Sequence, residues 1–326
     1  MNLRAALTRL APDPFVLALL ACAALASLLP ASGAAAVWLQ IAANIAIGLL
    51  FFLHGARLSH DAVLAGLRHW RLHLVILCAT FALYPLLGLG LTAIAPLSST
   101  LLIGLLFVCL LPSTVQSSIA YTSIAGGNIA AAVVAATLSN LIGIFVTPLL
   151  ASIVLHAQGF VITTDQIVRI ALNLLAPFLL GHALRPWIGA WVARHKALLS
   201  LCDRSAILLA VYSAFSVAMV QGVWSRIGGA ELAILIVAAA SLLAFVIVVL
   251  TLASRLLGFN KEDEIAIVFC GAKKSLATGI PMASVLFSGA TLAGAIIPLM
   301  IYHQMELMTA AWLSRRYAVA RANSGA

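Results

Sequence analysis

Ten runs of about twenty apolar residues, separated by short polar stretches, leave this chain one kind of solution: a helical bundle that crosses a bilayer many times. Inside hydrocarbon every backbone N–H and C=O must be paired within the chain, so only helices and closed barrels can span, and runs of this length read as helices. The runs are Phe15 to Leu29, Ala35 to about Leu53, Leu72 to Ala95, and a fourth after Pro96-Leu-Ser-Ser99 that is interrupted at Leu111-Pro112-Ser113. A fifth follows Gly126-Gly127 to about Leu155, then Ile167 to Leu184, about Ala206 to Val223, and Leu232 to Leu257. The ninth begins near Ile265 and is interrupted around Gly271-Ala-Lys-Lys274, and the tenth is Leu292 to Leu313. With 64% hydrophobic and 8% charged residues in 326, no sizeable soluble domain remains.

The net charge of +9 does not point to nucleic acid, because the basic residues are scattered between apolar runs rather than gathered on an aromatic-studded face. They sort instead by loop. Arg4 and Arg9, then Arg57, Arg68 and Arg71, then Arg185, Arg194, Lys196 and Arg204, then Arg255 and Lys261, then Arg315, Arg316 and Arg321 fall in alternate loops. The opposite side has Arg169 and Arg226. The positive-inside rule therefore predicts ten spans in the cell (inner) membrane with both termini cytoplasmic. A cleaved leader made of Arg4, Arg9 and the first run would give an odd span count, which the later loops do not require. The five cysteines stand singly in apolar sequence, so neither disulfides nor a structural metal is expected.

Divided at residues 1–157 and 158–326, the chain gives two five-span repeats, and an odd number forces the second to enter the membrane inverted. In each half the fourth span is the interrupted one, and paired interrupted spans point to a transporter's substrate site. Unwound backbone at that depth needs protein or a wet cavity against it, and the half-helix N-termini beyond each break carry partial positive charge suited to an anion. Either interruption alone reads equally well as a proline kink or a packing glycine. Lys273 and Lys274 sharpen the reading, since two lysines at mid-span cost roughly 5–7 kcal/mol unless something compensates. A later start for the ninth span would put both at the surface but strand Ile265 to Cys270 as an apolar stub. His303 and Glu306 share a helix face and read as a protonatable pair, a partner for a lysine, or a structural pair. Asn128, Thr137, Ser139 and Asn140 suit bonds between helices, and His54, His156 and His182 lie near span ends.

The stretches Leu111-Pro-Ser-Thr-Val-Gln-Ser-Ser118, Thr122-Ser-Ile-Ala-Gly-Gly-Asn128, Leu138-Ser-Asn-Leu-Ile-Gly143 to Thr147-Pro148, Phe269-Cys-Gly-Ala-Lys-Lys-Ser-Leu-Ala-Thr-Gly-Ile-Pro-Met282 and Pro298-Leu-Met-Ile-Tyr-His-Gln-Met-Glu-Leu307 resemble the bile acid:sodium symporter family, in its SBF-like branch. The resemblance covers nearly the whole chain. It implies an all-α polytopic fold of ten transmembrane helices in two inverted repeats. Broken helices 4 and 9 would cross in a core domain, residues 72–157 and 230–316, packed on a panel domain, residues 14–57 and 164–224. It also implies organic-anion import by alternating access, with sodium as the usual coupling ion.

Two departures bear on coupling. Where sodium-coupled members carry a Glu and then Gln-Asn-Ser on the ninth helix, this chain has Val268 and Ala272-Lys-Lys274. Ser118 matches the Ser of the fourth-helix Ser-Asn pair, but Ile119 stands for the Asn. We therefore expect Lys273 or Lys274 to replace at least one sodium, with sodium, a proton or no ion left open as the coupling species and any residual sodium site sought near Ser118. Candidate substrate or ion contacts are Ser113, Thr114, Gln116, Ser117, Ser118, Asn140, Lys273, Lys274, Ser275, Thr278, His303 and Glu306. The expected partners are a small organic anion and the lipid bilayer; no organic cofactor is expected, and the oligomeric state is open. Two competing classes are a non-transporting membrane regulator with the same fold and an intramembrane enzyme. The enzyme lacks HExxH, GxSxG and paired deep carboxylates, and a P-loop is absent too.

Overall fold

A computed structural model describes residues 14–57, 69–157, 171–222, 228–287 and 289–323. Asp13, Arg4, Arg9, Arg68, Arg169, Arg226, the start of the sixth run and the side chains of His156 and Lys196 lie outside the described residues. Every regular element among the described residues is helical. In order these are α1 (Pro14–Leu28), α2 (Gly33–Arg57), α3 (Trp70–Ile94), α4 (Ser99–Leu110), α5 (Val115–Ala125) and α6 (Ile129–Ala157). A π-helical turn Ala171–Leu175 then leads into α7 (Ala176–Arg194), followed by α8 (Lys196–Val220), α9 (Gly229–Leu256), α10 (Lys261–Gly271), α11 (Leu276–Leu286) and α12 (Gly289–Asn323). Among the described residues six segments are long and apolar enough to cross a membrane, with α10 and α11 counted as one, and the pair α4 and α5, bent by 61° at its break, makes a seventh. The chain is a multi-pass membrane protein.

The helices pack as two groups. α2 lies along α7 and α8, and α1 lies along α8, whereas α3 to α6 and α9 to α12 pack mainly on one another. Glycine sets the closest approaches. Gly55 of α2 and Gly181 of α7 face each other's backbone so tightly that a Cβ on either would strike a main-chain carbonyl, of Phe178 and Phe52 respectively. Gly104 of α4 and Gly294 of α12 make the same kind of crossing. Small residues let helices touch backbone to backbone in lipid, where no hydrophobic drive holds them together.

The third run, expected as an uninterrupted span with Pro85 inside it, carries a π-turn at Ala79–Leu83. There the Tyr84 N–H bonds back five residues, to Ala79 O. The next such bond would run from residue 85 to Thr80, and proline has no N–H to make it. The Thr80 carbonyl is thus released from the ladder at a buried position of α3, which matters at the site.

Candidate functional site

Both interruptions read from the sequence are present, as non-helical backbone at residues 111–114 and 272–275. Each is flanked by legible local signals. α5 begins after Thr114 in extended backbone and ends at Gly126, whose φ of 74° favours glycine and lets the Gly127 N–H reach Thr122 O at 2.8 Å. α11 is capped by Ser275, whose side chain accepts the Thr278 N–H at 3.1 Å. α10 is capped by Asn260, which accepts the Asp263 N–H at 2.8 Å.

The breaks touch directly. The Ser275 N–H donates to Pro112 O (2.8 Å), Thr114 Oγ1 to Lys274 O (2.9 Å), Ser113 Oγ to Cys270 O (2.6 Å) and Ser118 Oγ to Phe269 O (3.0 Å). Asn140 of α6 bridges them, its amide donating to Ser113 O (2.6 Å) and its carbonyl accepting Thr278 Oγ1 (2.9 Å). Ser139 and Thr147 of the same helix take the Ser113 N–H and cap Leu110 O. The Ala272 carbonyl accepts from Tyr84 and Tyr302, whose hydroxyls also meet each other at 2.6 Å. Buried backbone groups that leave a helix must find such partners, because each left unpaired costs about 1–3 kcal/mol.

Lys274, with no exposed surface, answers the largest of these demands. Its ammonium donates to the carbonyls of Thr80 (3.0 Å), Cys109 (3.0 Å) and Leu111 (2.8 Å), and lies 4.0 Å from the centre of the Tyr84 ring. Each carbonyl is an orphan for a structural reason: Thr80 by the π-turn and Pro85, Cys109 by the end of α4, Leu111 by the break itself. The Lys274 N–H donates to Glu306 Oε2 at 2.8 Å, and His303 Nδ1 lies 2.9 Å from Glu306 Oε1. A fixed ammonium on three backbone oxygens, with a carboxylate beside its main chain, is a tethered cation in an oxygen socket.

Lys273 is different. It is equally buried, yet its ammonium has no hydrogen-bond partner among the described residues and rests 4.4 Å from the centre of the Tyr121 ring. Beside it is a space of about 10 Å³, with Glu306 among its walls. Direct hydrogen bonds join the two breaks, so protein meets the unwound backbone at the crossing.

A cavity of about 840 Å³ lies instead between α2, α7, α8 and the first turn of α5. Its polar lining is Arg57, Gln116, His182, Arg185, Ser200 and Asp203, set among Ala, Pro, Val and Leu side chains. Arg57 Nη1 pairs with Asp203 Oδ2 at 2.6 Å. Of the expected contact residues, Gln116 alone lines this cavity. Ser113, Thr114, Ser118, Asn140, Lys274, Ser275, Thr278, His303 and Glu306 are joined in the crossing, and Ser117 and Lys273 lie beside it, the buried Ser117 hydroxyl also without a partner among the described residues. Arg57 and Arg185 appeared in the sequence as topology markers and His182 as interfacial. Their convergence with Asp203 depends on the facing of three helices, which no local pattern reports. Tyr84 carried no signal beyond lying in an apolar run, and Tyr302 none beyond its place in the stretch Pro298 to Leu307. Val268 is buried among apolar neighbours, and Asp263 and Glu264 are buried too. Glu264 is tied to Arg255 (3.1 Å), Lys261 (2.5 Å) and Tyr317 (3.0 Å), and Asp263 to Asn128 (2.8 Å).

Paired broken membrane helices beside a polar cavity place the molecule among membrane transporters. The chain belongs to the SBF-like CPA transporter family, whose sequence profile matches residues 13–319. It is 51% identical over 321 residues to an uncharacterised protein of Pseudomonas aeruginosa, covering 98% of this chain and 96% of that one. It is 50% identical over 307 residues to YfeH of Escherichia coli, provisionally named a symporter, covering 94% and 92%. Sodium/bile acid cotransporter 7 of Mus musculus is 30% identical over 269 residues, 81% of this chain and 79% of that one.

Proposed function

We propose that this protein is a secondary active transporter that carries a small organic anion across the cell's inner membrane by alternating access, with Lys274 standing where a coupling sodium would otherwise sit. One observation carries the reading: a lysine ammonium bonded to three carbonyls that the helix ladder has released. Backbone oxygens at a helix break are what transporters use to hold coupling cations, and here the cation is covalent. A proton, or no ion, is then the coupling species.

The ten-span arrangement in two inverted repeats, 1–157 and 158–326, with cytoplasmic termini, belongs to the same proposal. It is supported by the placement of the breaks in the fourth run of each half and by the packing of α2 on α7 and α8 and of α1 on α8. In that orientation the large cavity opens toward the cytoplasm. Relatives named as a symporter and as sodium/bile acid cotransporters support the substrate class.

Reconstituted protein in proteoliposomes tests the reading, with counterflow of labelled organic anions in sodium-containing and sodium-free buffer. Uptake that persists without sodium and is lost in Lys274→Met is expected. Strict sodium dependence refutes the replacement, and no movement of any anion favours a regulatory protein that keeps the transporter fold.

A further inference from the structure

We propose that the cavity between α2, α7, α8 and the start of α5 is the binding site for the substrate's anionic group. Arg57 and Arg185 would hold that group, and Asp203 would be a built-in counter-ion that the arriving anion displaces from Arg57. The proposal rests on the transporter reading and assigns what that reading leaves open: which charges meet the substrate.

Size and chemistry agree. A volume of about 840 Å³ falls within the roughly 300–1,000 Å³ of small-molecule pockets. The walls combine apolar surface from Val192 and Leu199 with charged and polar side chains, a lining that suits a molecule with an anionic head and an apolar body. Two guanidinium groups against one carboxylate leave the lining positive. His182 and Arg185, three residues apart on α7, share one face of that helix.

The Arg57–Asp203 pair is incomplete in a way that favours exchange. A guanidinium and a carboxylate can join through two parallel bonds, but here only one is made. Asp203 Oδ1 is buried with no hydrogen-bond partner among the described residues. Both side chains remain partly open to the cavity, at 30% and 21% exposure, and pairs in that setting hold weakly. Arg185 has no ion-pair or hydrogen-bond partner among the described residues. A bidentate anion would satisfy donors on both arginines that the protein leaves unused. Gln116, in the first turn of α5, places the far end of such a ligand at the mouth of the first break. Neither Lys273 nor Lys274 lines this space, so the arginines, not the lysines, are the charges a substrate meets.

Carboxylate, sulfonate and phosphate groups share this chemistry, and a lipid headgroup also carries one; we assign a water-soluble organic anion. The test is thermal stabilisation of purified protein in lipid-free micelles by succinate, citrate, benzoate and taurocholate, followed by counterflow with whichever stabilises. The expected result is saturable stabilisation in the wild type. Arg185→Gln should raise the apparent Kd and the transport KM by about tenfold or more, Arg185→Lys should restore part of that loss, and Asp203→Asn should tighten binding several-fold by removing the competitor. Unchanged KM in Arg185→Gln, with uptake intact, overturns this site and leaves the transporter reading standing. Weaker binding in Asp203→Asn, in protein whose unliganded Tm is unchanged, overturns the displacement. Arginine-dependent stabilisation by phosphatidylglycerol alone makes the occupant a lipid and overturns the substrate assignment. No stabilisation and no uptake with any probe overturns both readings.

Discussion

The two helix breaks invite comparison as counterparts, yet they are closed by opposite means. The first, at residues 111–114, contains no charge and is met largely by hydroxyl and amide groups of α6, from Ser139, Asn140 and Thr147. The second, at residues 272–275, carries two lysines and is met by a carboxylate and two tyrosines. The difference lies in which groups are in surplus. The first break follows the C-terminal end of α4 and the π-turn of α3, both of which present carbonyls without donors; the second supplies the donor, and Ser113 and Thr114 return hydroxyl bonds to Cys270 and Lys274. The breaks are therefore donor and acceptor of a single lock rather than two copies of one device.

Removing the donor should break that lock most severely. Lys274→Met leaves three buried carbonyls unpaired and should lower stability by about 3–5 kcal/mol, read as a large fall in the thermal midpoint in detergent. A midpoint within a degree or two of wild type would dissolve the contrast between the breaks. Glu306→Gln keeps the shape but gives up the charge beside the Lys274 main chain, and a loss of about 2–3 kcal/mol is expected; equal protease resistance in mutant and parent would argue against it. Asn140→Ala severs the amide bridge between the two breaks, for about 1–2 kcal/mol, checked by denaturant titration. Tyr302→Phe should cost under about 1 kcal/mol, because Tyr84 still donates to Ala272 O. Lys273→Met sharpens the comparison at the small end: its ammonium makes no hydrogen bond, so the midpoint should hold or rise, and a clear fall would show that the two lysines are not divided as described.

Much of this is legible in the sequence. Pro112 and the Gly271–Ser275 stretch announced the breaks because backbone leaving a helix inside an apolar run needs proline, glycine and polar side chains, and these are local signals. Glu306 stood out as a carboxylate within the last run; it accepts the Lys274 main-chain N–H, not the ammonium. The resemblance to symporters named the right family. What sequence did not disclose was which lysine was satisfied, since the Lys274 socket draws on Thr80, Cys109 and Leu111 from two distant helices. Pro85 lies within the third run, but its effect depends on the π-turn at Ala79–Leu83, which leaves the Thr80 carbonyl without a helical donor. The arginine-lined cavity escaped for the same reason: loop counts treat Arg57 and Arg185 as signs of orientation, and only the packing of α2 on α7 and α8 turns them toward one space.

The Lys274 socket has a thermodynamic corollary. A bound ion stabilises its protein in proportion to the logarithm of its free concentration, and dilution removes it. An ammonium that is part of the polypeptide obeys no such mass action and has no rate of departure. The join between the two breaks is thus insulated from the salt composition on either face of the membrane.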